Sequence, residues 1–254
     1  AGFALAACMG VSLLVNVPAG TVSAAEPEEV VSGEMSATET DAEALDEARE
    51  VVYDESKADA YGFVWDGTKL VKYVGKGGDV KIPEGCTGIG SDAFSECSGL
   101  TSIEIPSSVW NIGYYTFARC SGLTSIKIPS SVTDIYEFAF LGCSGLTSIE
   151  IPSSVTRIGH SAFSECSGLK SIVVSPENPN YNSEGNCNAI ICNNVANDDR
   201  LLIRGCENTK IPSSVTIIGD YAFTGCRGLT SIEIPSSVRS IGDYAFLDCS
   251  GLKS

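Results

Sequence analysis

Six times an Ile-Pro pair opens a near-identical stretch of this chain, at Ile82, Ile105, Ile128, Ile151, Ile211 and Ile234, and within each run the interval is 23 residues. The shared unit reads I-P-S-S-V-T-x-I-G-x-x-A-F-x-x-C-S-G-L-T-S-I-E. A unit this short cannot close a hydrophobic core of its own. It has to be one turn of a coil whose apolar side is covered only by the turns before and after it. The period therefore constrains the architecture before any single residue is considered: a solenoid in which equivalent side chains stack in columns.

The unit divides into parts with separate physical roles. In Leu100-Thr101-Ser102-Ile103-Glu104-Ile105 isoleucines alternate with polar residues, the pattern of a short strand with one face inward. Pro106 closes that strand because it has no N–H to give to a ladder. Strands are thus expected at Ser102–Ile105, Ser125–Ile128, Ser148–Ile151 and Ser231–Ile234, paired in parallel in a right-handed solenoid. Val109 and Ile112 carry the chain back across the core, and Gly113 supplies an unusual backbone angle. The spacing of Phe117 and Cys120 suits a short helical or 3-10 turn. Phe94, Phe117, Phe140, Phe163, Phe223 and Phe246 are expected in one buried column. A period in the twenties ending in L-x-x-I-x-I is the leucine-rich-repeat signature. The expected fold class is a repeat solenoid of 23-residue leucine-rich repeats, with a parallel β ladder and short helical or 3-10 turns.

The flanks have a different character. From Tyr61 two β-rich runs join through Asp66-Gly67, a strong hairpin signal. Residues 61–81 are read as a β-hairpin capping the first coil, whose edge would otherwise be open to pairing. Residues 82–254 form the solenoid, and between 172 and 210 the period fails. That segment reads as one enlarged coil with a hairpin, Asn188–Cys192 against Arg200–Arg204. Pairing Cys187 with Cys206 would set Ile190 opposite Ile203. Upstream, residues 1–24 read as a signal peptide without its basic n-region, the apolar run being shorter than the ~20 residues of a membrane-spanning helix. Residues 25–60 read as an acidic disordered linker, with helix propensity over Glu43–Val52. The last copy breaks off in mid-repeat at Ser254, so further repeats, a wall-anchoring module or an enzymatic domain are expected beyond it.

The formal net charge is −16, and residues 26–60 carry 13 acidic residues against Arg49 and Lys57. The remainder is mildly acidic and has no basic stripe, which argues against nucleic acid and against docking on anionic lipid. Cys97, Cys120, Cys143, Cys166, Cys226 and Cys249 recur at one position of the unit. They lack the clustered spacing of metal ligands. At a coil spacing of ~4.8 Å they are also further apart than the ~3.8 Å between the Cβ atoms of a disulfide. They read as small buried thiols, as does Cys86 in a valine position. A Cys187–Cys206 disulfide stays open, since an exported location would permit it. His160, the only histidine, shares a variable position with Tyr114, Glu137, Asp220 and Asp243. Nothing pairs it with a nucleophile or base, so it reads as a surface residue. No metal or cofactor is called for, and no enzyme.

The repeated IPSSVTxIGxxAFxxCSGLTSI and the inserted NPNY…CNAII…LIRGC…IPSSV resemble the BspA-type leucine-rich repeats of bacterial surface proteins, from about Tyr61 to Ser254. The resemblance implies a secreted or cell-surface protein, in some members an adhesin. The expected function is a non-catalytic protein- or glycan-binding module, monomeric, with a host or bacterial surface ligand. The alternative is a stalk presenting an enzyme or anchoring domain. Candidate contact residues are Glu104, Lys127, Glu150 and Glu233, which share the outward strand position, together with Trp110, Tyr114 and Tyr115 at variable positions. Opposite charges on neighbouring strands would also support the ladder by about 0.2–1 kcal/mol each.

Overall fold

The computed structural model describes residues 53–193, 195 and 199–253. The expected signal peptide, the acidic stretch to residue 52 and Ser254 lie outside them. The chain winds as a β-solenoid with two ladders of short strands. The first ladder pairs Gly78–Lys81, Leu100–Glu104 and Ser125–Ile126 in parallel, and continues with Ser148–Ile151 and Ser171–Val174. The second is built from the x-I-G positions: Gly88–Ile89, Asn111–Ile112, Asp134–Ile135 and Arg157–Ile158, also parallel. Equivalent isoleucines face each other in both, so the 23-residue interval is the register itself.

Two hairpins enter the second ladder. Phe63–Asp66 pairs antiparallel with Lys69–Tyr73, whose Leu70 lies beside Ile89. Ala189–Cys192 pairs antiparallel with Leu201–Gly205, whose Leu202 lies beside Ile218. In the second hairpin Ile190 faces Arg204 and Ile191 faces Leu202, with a bulge between Ile190 and Ile191. The expected Ile190–Ile203 pairing is therefore displaced, and Cys187 and Cys206 are buried free thiols. Upstream of the first hairpin, Glu55–Lys57 is a 3-10 turn. Asp59 Oδ1 accepts the N–H groups of Tyr61 and Phe63, and its Oδ2 accepts the indole N–H of Trp65.

The expected strand at Ser231–Ile234 does not form. Twelve residues separate Leu70 from Ile82, enough for the Gly78–Lys81 strand, but only nine separate Leu202 from Ile211. The shorter path leaves no first-ladder strand in that coil, so 231–234 meets no partner. The edge thus left at Ser171–Val174 is covered by side chains. Ser183 Oγ accepts the N–H of Val174 at 3.0 Å, and Asn208 Nδ2 donates to the carbonyl of Lys170 at 3.1 Å. Both prevent an open edge from recruiting another strand.

The x-x-A-F-x-x-C corner is neither α nor 3-10 helix. Within the first coil, Ala93, Ser95 and Cys97 donate to the carbonyls of Gly90, Asp92 and Phe94. The intervening N–H groups of Asp92, Phe94 and Glu96 donate to Tyr114, Thr116 and Ala118 of the next coil. Asp92 and Glu96 have φ of 56° and 65°. A positive φ at the third residue is the type II turn geometry, and it breaks any helical run. The same positions repeat it at Tyr115, Arg119, Phe138, Glu165, Tyr221, Tyr244 and Asp248.

Inside, Phe94, Phe117, Phe140 and Phe163 are fully buried and stacked, with centroids 5.3, 5.3 and 5.1 Å apart. Tyr73 and Phe63 extend the column into the first hairpin. The expected single column is broken between Phe163 and Phe223, which lie in separate core clusters. Arg204 and Gly205 intervene: Gly205 donates to Ala222, as Phe140 does to Ala162 upstream. Arg204 is 3% exposed and donates from Nη1 to the carbonyl of Thr224 at 3.0 Å, while its Nε has no partner. Phe223 and Phe246 form a second short stack at 5.0 Å, with Phe246 only half-buried.

The cysteines do more than fill space. The thiols of Cys120, Cys143, Cys166 and Cys249 each donate to the carbonyl of the phenylalanine one coil back, at 3.0–3.1 Å. Burial pushes the Cys120 thiol up to about 12 and those of Cys166 and Cys226 to about 11. All six repeat cysteines are free thiols, and only Cys97 is partly accessible.

Candidate binding surface

On the first ladder, Lys81, Glu104, Lys127, Glu150 and Val173 form one outward column. The register sets Lys81 beside Glu104 and Glu150 beside Val173, and all five are exposed. Glu104 pairs with Lys81 at 2.8 Å, so the partner is the lysine of the preceding coil and not Lys127. That hydrogen bond raises the Lys81 ammonium above its ordinary value. Lys127 has no ion-pair partner among the described residues. Glu233 is exposed too, but residues 231–234 form no strand of the first ladder, so it stands apart from the column. Lys81 and Val173 were missed as contact residues, although both lie 23 residues from a named one. Val173, 44% exposed, ends the charge alternation with an apolar side chain.

The second ladder carries a different surface. Asn111, Asp134 and Arg157 are register neighbours on successive coils. In the column just before them, Thr156 donates its hydroxyl to the Thr133 carbonyl at 3.3 Å, and the Thr133 hydroxyl lies 3.3 Å from the Trp110 carbonyl and 2.6 Å from Asp134 Oδ2. Trp110 occupies this threonine column and is 51% exposed. Beyond the ladder, the Tyr114 and Tyr136 rings meet at a tilt with centroids 4.9 Å apart, and the Arg157 guanidinium lies 5.0 Å from the Tyr136 ring centre. Arg157 also pairs with Glu137 at 3.4 Å, and Glu137 Oε2 is buried without a partner. Burial and the neighbouring Glu137 charge raise the Tyr114 hydroxyl above its ordinary value.

Tyr115 belongs to a third feature, a row of rings along the corner. It stacks on Phe138 at 4.8 Å. The row continues through His160, 5.3 Å from Tyr221, and through Tyr221 to Tyr244 at 5.2 Å. His160 is exposed at its edge yet flanked by two rings. Desolvation there lowers its pKa, against the opposite pull of Asp220 and Glu137. Its ring fills the row in place of Ser161, one position off the others. Among the described residues no group of three or more His, Cys, Asp or Glu is placed to hold a metal ion, and no helix is long and apolar enough to cross a membrane.

Residues 73–189 and 204–254 match the family of the BspA type leucine rich repeat region, in six copies. Among solved structures, a leucine-rich repeat protein from Bacteroides ovatus is 26% identical, over 78% of this chain and 51% of that one, with a TM-score of 0.50. The pneumococcal vaccine antigen PcpA shares the fold at 20% identity, over 78% of this chain and 54% of that one, with a TM-score of 0.57. A leucine rich cell surface protein from Faecalibacterium prausnitzii is 27% identical, over 77% of this chain and 74% of that one, at a TM-score of 0.46. No curated protein sequence matches.

Proposed function

Because the chain belongs to the BspA-type leucine-rich repeat family, we propose that it is a non-catalytic binding module of an exported bacterial surface protein, holding a protein or glycan partner along its ladder faces. The observation that carries this is the column Lys81, Glu104, Lys127 and Glu150, four exposed charges repeated once per coil. A rigid row of this kind suits many weak contacts whose combined strength grows with the number of coils. The inward positions are taken up by the phenylalanine, isoleucine and cysteine columns, so contact falls to the outer faces.

The test is a binding screen of the chain over extracellular-matrix proteins and bacterial surface glycans, run beside a panel of hydrolase substrates. Retention of a partner without turnover is expected. Lys127→Glu should weaken a partner read by this face while changing stability by only ~0–1 kcal/mol. Turnover that disappears on replacing His160 or a carboxylate pair would overturn the proposal. Protease shaving of intact cells tests the surface location.

A further inference from the structure

Trp110 breaks the rule of its column. The equivalent Thr156 gives its hydroxyl to a carbonyl of the coil before and Thr133 gives its own to Asp134, whereas Trp110 has no hydroxyl and exposes half of its indole. Nothing in the packing of the coil uses the exposed half. Immediately beside it stand Asn111 and Asp134, side by side in adjacent strands. Two residues after Asp134 comes Tyr136, where the five other copies (Gly90, Gly113, Gly159, Gly219, Gly242) carry glycine. Side chains two apart in an extended chain lie on one side. Arg157 is in register with Asp134 and lies over Tyr136, as that arrangement requires. The amide and the carboxylate are thus bounded by an indole on one side and a tyrosine pair on the other.

We propose that this patch binds a neutral pyranose unit of a glycan, with Trp110 against the apolar face of the sugar ring and Asn111 and Asp134 hydrogen-bonding its hydroxyls. An aromatic ring offers a flat apolar face with little entropy to lose, and the amide and carboxylate supply both donors and acceptors in fixed positions. Asp134 Oδ2 already accepts the Thr133 hydroxyl at 2.6 Å, which holds the carboxylate in place. An acidic sugar is disfavoured, because the Arg157 charge is already shared between Glu137 and the Tyr136 ring. The inference rests on the binding-module proposal and names the ligand class of one face.

The chain has two tryptophans, and the indole N–H of Trp65 is tied to Asp59 at 2.9 Å. Their two Nε1–H signals in a spectrum of the 15N-labelled full chain therefore give a reporter and an internal reference. Titration with cellotetraose, mannotriose and galactotriose should shift the Trp110 signal with at least one of them while Trp65 stays fixed. Trp110→Thr, which restores the residue of the column, and Asp134→Ala should each weaken that binding about tenfold or more. The proposal is overturned if none of the three moves the Trp110 signal, if both variants bind unchanged, or if only sialyllactose or a proline-rich peptide moves it. Partner capture sensitive to Lys127→Glu alongside inert sugars would overturn this site and leave the wider proposal standing.

Discussion

The thiol of Cys143 donates to the carbonyl oxygen of Phe117, one coil back, at 3.0 Å, and the same oxygen accepts the N–H of Cys120 at 3.1 Å. Each repeat cysteine of this kind thereby joins two coils at the point where the phenylalanine column turns. The thiols are held in their protonated form, which makes the fold sensitive to base. Unfolded cysteines titrate near ~8.5, whereas burial raises Cys120 to about 12 and Cys166 and Cys226 to about 11. Above the unfolded value, the unfolded chain has lost protons that the folded chain keeps. Stability is therefore full below about pH 8.5 and falls as pH rises towards the folded values. Urea midpoints taken from neutral pH into that window should drop steadily. A flat profile would count against buried thiols, as would rapid native labelling of all six.

Phe140 sits between Phe117 and Phe163 at 5.3 and 5.1 Å, with no exposed surface. Phe140→Ala should cost ~3–5 kcal/mol through the lost burial and the cavity left behind. A chemical denaturation midpoint close to that of the parent would contradict the stacking register.

Much of this was legible because one interval governs every column. The phenylalanines, the cysteines and the outward charges follow from counting 23 residues, and Ile103 does lie beside Ile126 as that count demands. What escaped is where the interval lapses. Arg204 reads in sequence as a hairpin residue with its charge in solvent, yet it lies two residues after buried Leu202 and shares that inward face of the strand. The missing strand at 231–234 depends on a three-residue difference between two loops, which carries no compositional signal. Helical spacing at Phe117 and Cys120 was equally misleading, because chained turns with positive φ produce the same offset of three. The same count sets Trp110 among threonines, but the second ladder that runs beside it is what the strand pattern alone did not suggest.

Gly159 marks a point of contact between coils. A Cβ there would stand 2.3 Å from the Glu137 nitrogen and 2.6 Å from the Tyr136 carbonyl carbon. Gly159→Ala should therefore cost about 1–3 kcal/mol by forcing the coils apart. Gly142, at φ 70°, has only ordinary contacts with Arg119 around it, and Glu96, Arg119 and Glu165 hold similar angles in other copies. Gly142→Asn should stay within about 1 kcal/mol of the parent. Thermal melts of the pair test the contrast, and equal losses would remove it.

Buried between the two phenylalanine stacks, Arg204 donates to the Thr224 carbonyl and the Cys226 sulfur of the downstream coil. Arg204→Ala should cost on the order of 3 kcal/mol and leave a void between the phenylalanine stacks. Arg204→Met, of similar length and without a buried charge to desolvate, should recover most of that loss. If methionine proves as damaging as alanine, the guanidinium hydrogen bonds are the dominant contribution.

At the corners, Tyr115, Phe138, Tyr221 and Tyr244 hold φ values of 51–57° that glycine would adopt with far less strain. Their backbone is fixed from outside, since Tyr115 donates to Glu137 and Tyr221 to Asp243 of the following coil. The conformation of such a residue is imposed by its neighbours' amides, and its own identity has little say in it. Local propensity is thereby decoupled from side-chain choice, and the corner becomes a rail on which successive coils can display unrelated chemistries, one letter at a time, without renegotiating the winding of the chain.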